Sequence, residues 1–270
     1  MKITVKIPGS CGELIQGEFN AEPFLITCPI DLFTTVTISD EFNGRINLGV
    51  KSQKMLKMTL KYLGRDNFNF GIELKSDLPH GKGMASSSAD IAAVAKAVTL
   101  AFGVELTAEE ILKLAVSIEP TDGIFFNGIV AMNPVNGKIL CRFNSPTNYK
   151  IAIFDFGGKI DTLNFKRQTN FYISELPANL NIEMTTASAL ANQKILFKPQ
   201  LEEIINFSKL LGAISVNVAH TGTVIGVFFD ESKSLTEVKK CAEIIAKKFQ
   251  HIKFIKVAKL IDGGIITTKN

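Results

Sequence analysis

Apolar residues recur along this chain with two different periods, and the switching between them predicts a mixed α+β protein. Ile3, Val5 and Ile7 alternate with polar residues and predict a first strand. Phe24–Cys28 and Asp31–Ser39 predict two more, the second rich in Thr and Val, which suit a pleated surface. Asn43-Gly44 is a hairpin signal ahead of Arg45–Val50. Met55, Leu56, Leu60 and Leu63 stand at helical spacing and stop at Gly64. Phe68, Phe70, Ile72 and Leu74 return to the strand period. The stretch from Ile91 to Phe102 is a rich helix former closed by Gly103, a residue suited to the left-handed position past a helix end. Thr107 and Glu110 form a capping-box pair before Ile111, Leu112, Leu114, Ala115 and Ile118, and Pro120 stops that helix.

Val130–Asn133 and Lys138–Phe143 predict a hairpin. The polar run from Ser145 to Asn148 then breaks the pattern, so we expect two units, 1–146 and 147–270. The second unit reads as strand Tyr149–Phe154, helices Glu183–Leu196 and Pro199–Leu211, strands Ile214–Val218 and Val224–Phe229, helix Leu235–Phe249 and strand Phe254–Val257. Antiparallel strands with helices on one face suggest a ferredoxin-like α+β layer.

Composition narrows the function classes. With 46% hydrophobic and 21% charged residues in 270, a packed core is expected. The net charge of +4 suits an anionic ligand, but no Lys/Arg block marks a nucleic-acid surface. The four cysteines are scattered, which argues against a zinc site or a disulfide framework. No apolar run is long enough to span a membrane, and the N-terminus lacks the apolar stretch of a signal peptide. A cytoplasmic protein, monomer or homodimer, is the expectation.

Candidate chemistry centres on Pro79-His80-Gly81-Lys82-Gly83-Met84-Ala85-Ser86-Ser87-Ser88, which lies between a strand and a long small-residue helix. Gly81 and Gly83 let the backbone approach a ligand, and a helix start favours an anion. The stretch reads as a phosphate cradle or, more plainly, as a glycine turn with a serine cap. It is neither a Walker A loop, because Gly83 follows Gly81-Lys82, nor a full dinucleotide fingerprint, because Ser86 stands at the third glycine position. The turn-rich segment Pro8–Glu18 reads as a hairpin connection or as a substrate loop offering Glu13, Gln16 and Glu18. Glu119 and Asp122 flank Pro120 beside an apolar run; Asp122 reads as a turn residue or as an acid placed for catalysis or metal binding.

Three stretches resemble the motifs of the GHMP small-molecule kinases. Pro8–Glu18 resembles the first. Pro79, Gly81, Gly83, Ser87, Ser88 and Ala89 fit the second, with Met84-Ala85 in place of its usual Leu-Gly. His220-Thr221-Gly222-Thr223 resembles the third. The wording of the motifs is similar to the L-threonine kinase branch, whose members make O-phospho-L-threonine for cobalamin. The resemblance implies a two-lobed fold, with a ribosomal S5 domain 2-like N-terminal lobe and a ferredoxin-like C-terminal lobe, and γ-phosphoryl transfer from ATP with Mg²⁺. It implies phosphate binding by residues 79–88 and metal binding by Ser87, Ser88 and Glu119. Asp122 would accept or orient the substrate hydroxyl. Glu13 and Gln16, Thr221 and Gly222 would face the substrate, with Glu13 on its ammonium. Arg167 would grip its carboxylate, or be an exposed helix arginine. The lysine that some relatives carry in the first motif is replaced by Ser10. Rival readings are a homoserine kinase, a non-catalytic nucleotide-binding regulator on the same fold, and an NAD-binding oxidoreductase.

Overall fold

The computed structural model describes residues 1–143, 148–160 and 170–269. The expected break at 145–148 falls almost wholly outside these residues, and so does Arg167. In chain order the elements are β1 (Lys2–Phe19), β2 (Glu22–Ser39), β3 (Arg45–Ile46), α1 (Val50–Tyr62), β4 (Gly71–Ser76), α2 (Ser86–Ala101), α3 (Ala108–Val116), β5 (Ile129–Met132), β6 (Ile139–Phe143) and β7 (Lys150–Asp155). There follow β8 (Tyr172–Ile173), α4 (Met184–Asn192), α5 (Leu201–Leu210), β9 (Ser215–Val218), β10 (Val224–Phe229), α6 (Leu235–Lys248), β11 (Lys253–Lys259) and β12 (Ile266–Lys269).

The described strands form one curled sheet whose main path runs β11-β7-β10-β9-β1-β2-β4-β3. Within it β7, β9, β10 and β11 follow the β-α-β-β-α-β order, all paired antiparallel, which is the expected ferredoxin-like layer. Strand alternation serves two cores at once. Ala152 and Phe154 of β7 join Ile204, Val238 and Ile245 of the helices on one face. Ile151 and Ile153 join the core that surrounds α2 on the other. Helix α2 is apolar nearly all round because it is enclosed by β1, β2, α1 and α3, and 14 of its 16 residues are buried.

Several elements differ from their sequence patterns. Pro8–Glu18 is neither a hairpin connection nor a loop: β1 runs through it, paired with β2, with register shifts at Pro8/Gly9, Ser10/Glu13 and Glu13/Ile15. These bulges absorb the glycines and break the period of two, which hides the strand in the sequence. Phe24–Cys28 and Asp31–Ser39 are likewise one strand. Asn43-Gly44 does not open a hairpin; β3 is two residues long and lies parallel to β4. Phe68 and Phe70 precede β4 and pack against Phe102 just past α2, Phe70 edge-on and Phe68 tilted. The 107–118 helix stops at Val116, with its capping box formed.

Along the main path, β9 joins β1 at the register pair Glu13 with Val218. Asn217 reinforces that seam. Its Nδ2 donates to the carbonyls of Cys11 (2.5 Å) and Glu13 (3.1 Å), and its Oδ1 accepts from Gly226 N (3.0 Å).

Candidate active site

The glycine-serine stretch is a tight loop held by backbone bonds from three directions. Ser10 N donates to Met84 O (3.0 Å) and Gly12 N to Gly83 O (3.1 Å), both from β1. Thr223 N donates to Lys82 O (2.9 Å) from the β9–β10 turn, and Ile160 N to Gly81 O (3.1 Å). Gly81 (φ 73°) and Gly83 (φ 81°) take left-handed dihedrals, as their place in the loop requires.

Helix α2 begins without a serine cap. Its N-cap is Ala85, in the left-handed region at φ 53°, and no side chain caps the first turn. Ser86, Ser87 and Ser88 instead line a cavity of about 380 Å³ at the helix start. Glu13, Gln16, Lys51, His80, Asp90, Glu119, Asp122 and Thr221 line the same space. The sequence-predicted residues Gly81, Gly83, Met84 and Ala85 contribute to its wall too, while Pro79, Lys82 and Gly222 do not. Lys82 turns away: its Nζ meets Asp155 Oδ2 and Gly158 O, each at 2.6 Å. Burial raises the Asp155 carboxyl, but Lys82, Thr223 and Gly157 N outweigh it and leave the group below its ordinary value.

Two serine–carboxylate pairs dominate the cavity. Ser88 Oγ donates to Asp122 Oδ2 (2.9 Å) and accepts from Asp122 N (3.3 Å). Ser87 Oγ donates to Glu119 Oε1, and Lys51 Nζ, from the first turn of α1, donates to Glu119 Oε2. Consecutive residues at the start of α2 thus reach two different acids of the 119–122 segment. Behind them, burial pushes the Asp90 carboxyl up to about 6, partly offset by the Thr34 hydroxyl and His80, while Glu119 adds to the rise.

The opposite wall is a buried polar network. Glu13 Oε2 accepts from His220 N (2.9 Å) and meets His220 Nδ1 at 3.3 Å. His220 Nε2 lies 3.1 Å from Ser188 Oγ, which also donates to Gln16 O (3.2 Å). Lys198 Nζ donates to Ala219 O (3.0 Å); burial pushes this lysine down to about 8, against the pull of Glu13. Glu13 is therefore already engaged by protein groups, although it also faces the cavity.

Lys51, Ser188 and Lys198 escape a reading of the sequence. Lys51 sits in a run of lysines at helical spacing, which predicts a solvated face, and no local pattern marks the other two. The oxygen donors fit magnesium, which binds few protein ligands and keeps its remaining positions for phosphate and water. Glu119 with the Ser87 and Ser88 hydroxyls is such a set. Among the described residues no group of three or more His, Cys, Asp and Glu side chains gathers to make a denser metal site.

Residues 50–127 match the family model "GHMP kinases N terminal domain". Over this span the chain is similar to the GHMP kinases. The matched span runs from α1 through the glycine-serine loop and α2 to the Glu119–Asp122 segment, so it carries both serine–carboxylate pairs. Over nearly its whole length the chain is similar to curated relatives. An L-threonine kinase of Salmonella typhimurium is 28% identical over 283 residues, covering 96% of this chain and 93% of the relative. An L-threonine kinase of Citrobacter freundii is 26% identical over 280 residues, with 96% and 97% covered. Solved structures share the GHMP kinase fold. A mevalonate kinase superposes with a TM-score of 0.65 at 15% identity, covering 95% of this chain and 99% of the other. A homoserine kinase from Cytophaga hutchinsonii gives 0.62 at 15% identity, with 99% and 97% covered.

Proposed function

We propose that this protein is a GHMP kinase that phosphorylates the side-chain hydroxyl of L-threonine with ATP, giving O-phospho-L-threonine, a product usable for cobalamin assembly. The observation that carries the reading is the pairing of Ser87 with Glu119 and of Ser88 with Asp122 in one cavity at the start of a buried helix. Phosphoryl transfer asks a protein mainly to position two reactants and neutralise charge, and the cavity offers both kinds of group. The similarity of the whole chain to two L-threonine kinases supports threonine as the acceptor.

In this reading the backbone N–H groups at the start of α2 and the Ser86–Ser88 hydroxyls hold the nucleotide's phosphates. Glu119, Ser87 and Ser88 hold magnesium, which when bound supplies positive charge to the phosphate oxygens. Asp122 accepts or orients the acceptor hydroxyl. Its carboxylate is aimed by Ser88, which bonds both its Oδ2 and its backbone N–H. On the far wall, Glu13, braced by His220, is the acid available to an amino-acid ammonium, and Gln16 and Thr221 border the same space. Arg167, outside the described residues, is proposed to supply the carboxylate clamp.

The test is product identification. ³¹P NMR of the protein with MgATP and L-threonine should show a phosphomonoester appearing in step with ADP. ATP consumption without that signal would refute the reading.

A further inference from the structure

Glu119 is a carboxylate only 5% exposed, and a buried charge needs a partner. Its Oε1 is met by the Ser87 hydroxyl and its Oε2 by the ammonium of Lys51. Lys51 is the second residue of α1, its side chain is 31% exposed, and it lines the same cavity as Ser86–Ser88 and Asp122. The first turn of α1 carries no acidic residue that could hold it elsewhere. Lys82 is committed to Asp155 and Gly158 and Lys198 to the Ala219 carbonyl, while Lys159 packs beside Gly81 outside the cavity wall. Among the described residues Lys51 is the one lysine in the cavity wall. Ser10, also in that wall, offers a hydroxyl and no charge.

We propose that Lys51 is an exchangeable counter-ion: it neutralises Glu119 in the nucleotide-free protein, and turns to the phosphates of the nucleotide once a divalent cation takes over that carboxylate. The proposal rests on the phosphotransfer reading and adds a residue to it. The reason is charge arithmetic. A divalent cation on Glu119 and an ammonium on the same carboxylate repel one another at contact distance in a partly dry site. Lysine is a compact charge on a flexible four-carbon stem, so it can leave Glu119 without moving α1. The triphosphate brings new negative charge into the same cavity, which gives the displaced ammonium a partner. The protein thus keeps Glu119 paired in both states, and metal binding without nucleotide is opposed by a built-in competitor.

Two measurements on the full chain test this, with Lys51→Met to remove the charge while keeping the stem, and Lys51→Arg to retain it. The first is titration of the nucleotide-free proteins with Mn²⁺, read by loss of the free-ion EPR signal. Lys51→Met should bind Mn²⁺ tighter than wild type by roughly five- to a hundredfold, the range of ordinary coupling between competing ligands, and Lys51→Arg should stay near wild type. The second is steady-state turnover, where Lys51→Met should lose about tenfold or more in kcat/KM for MgATP, with partial recovery in Lys51→Arg. Unchanged or weaker Mn²⁺ binding by Lys51→Met overturns the proposal, as does unchanged kcat/KM, and either result leaves the phosphotransfer reading standing if the wild type turns over. A wild-type protein that does not bind MgATP overturns both.

Discussion

Gly83 and Gly222 face each other with no room for a side chain on either. A Cβ on Gly83 would fall 2.9 Å from Gly222 Cα, and one on Gly222 would fall 2.5 Å from Gly83 Cα and 2.3 Å from Lys82 O. The loop at the start of α2 is thereby pressed onto the β9–β10 turn. Because the clashing atoms are backbone, they cannot swing aside. Gly222→Ala should cost about 1–3 kcal/mol of stability, the usual cost of overpacking. Urea unfolding would measure it, and ATP affinity should fall with it. Gly103→Ala is the contrast: nothing lies within 4 Å of its Cβ, so only the left-handed strain of φ +73° remains, about 1–2 kcal/mol, with nucleotide binding untouched.

Asp122 and Ser88 should separate binding from turnover. Asp122→Asn preserves shape and should keep MgATP affinity while kcat falls by about 10²–10⁴, the span of a lost acid–base group. Ser88→Ala removes the hydroxyl that aims the carboxylate at 2.9 Å, and a smaller loss in kcat is expected there. Isothermal titration beside steady-state kinetics checks both. Wild-type turnover in Asp122→Asn would remove Asp122 from the mechanism.

Lys198 gives the protein a signature on the alkaline side. Burial lowers its folded pKa to about 8, while the unfolded chain keeps the ordinary lysine value of 10.5. Between these values the unfolded state binds the extra proton, so this group makes stability rise with pH, from about 8 towards 10.5. Below pH 8 both states are protonated, and the cost of the buried charge is present in full. The stability of wild type relative to Lys198→Met should therefore increase across that window, by up to roughly 3 kcal/mol. Chemical unfolding of both proteins at several pH values measures it; a difference that stays flat with pH would show that Lys198 does not titrate there.

Helix α6 should be separable from the chemistry. Ser234 caps it by accepting from Glu237 N, and Glu237 returns the bond to Ser234 N. Ser234→Ala should lower stability by about 1 kcal/mol and leave kcat and KM unchanged, since α6 packs on β7 and β11 away from the cavity.

Much of this architecture is written in local patterns. The 107–110 capping box, the Ile129–Phe143 hairpin and the strand pair Ser215–Val218 and Val224–Phe229 each depend on neighbours in sequence, and each is legible there. Strand β1 is not, because its bulges at Gly9 and Gly12 break the alternation that marks Ile3, Val5 and Ile7. Strand β12 is polar, and it pairs with the other end of the chain, so nothing nearby announces it. The candidate site divides the same way. The glycine-serine loop and Glu119–Asp122 stand out as motifs. The partners that charge and aim them do not, since Lys51 lies 68 residues from Glu119 and Ser188 lies 172 from Gln16. Glu13 reads from the sequence as a free recognition acid, whereas His220, brought beside it by the β1–β9 seam, already occupies one of its oxygens.

The acceptor is the centre of the account, and kcat/KM for MgATP-dependent ADP release across L-threonine, L-serine, L-homoserine, mevalonate and sugars tests it most directly. The account predicts that L-threonine gives the highest value and that Asp122→Asn lowers its turnover by about 10²–10⁴. A higher value for homoserine or mevalonate, or no turnover with any hydroxyl amino acid, would contradict it.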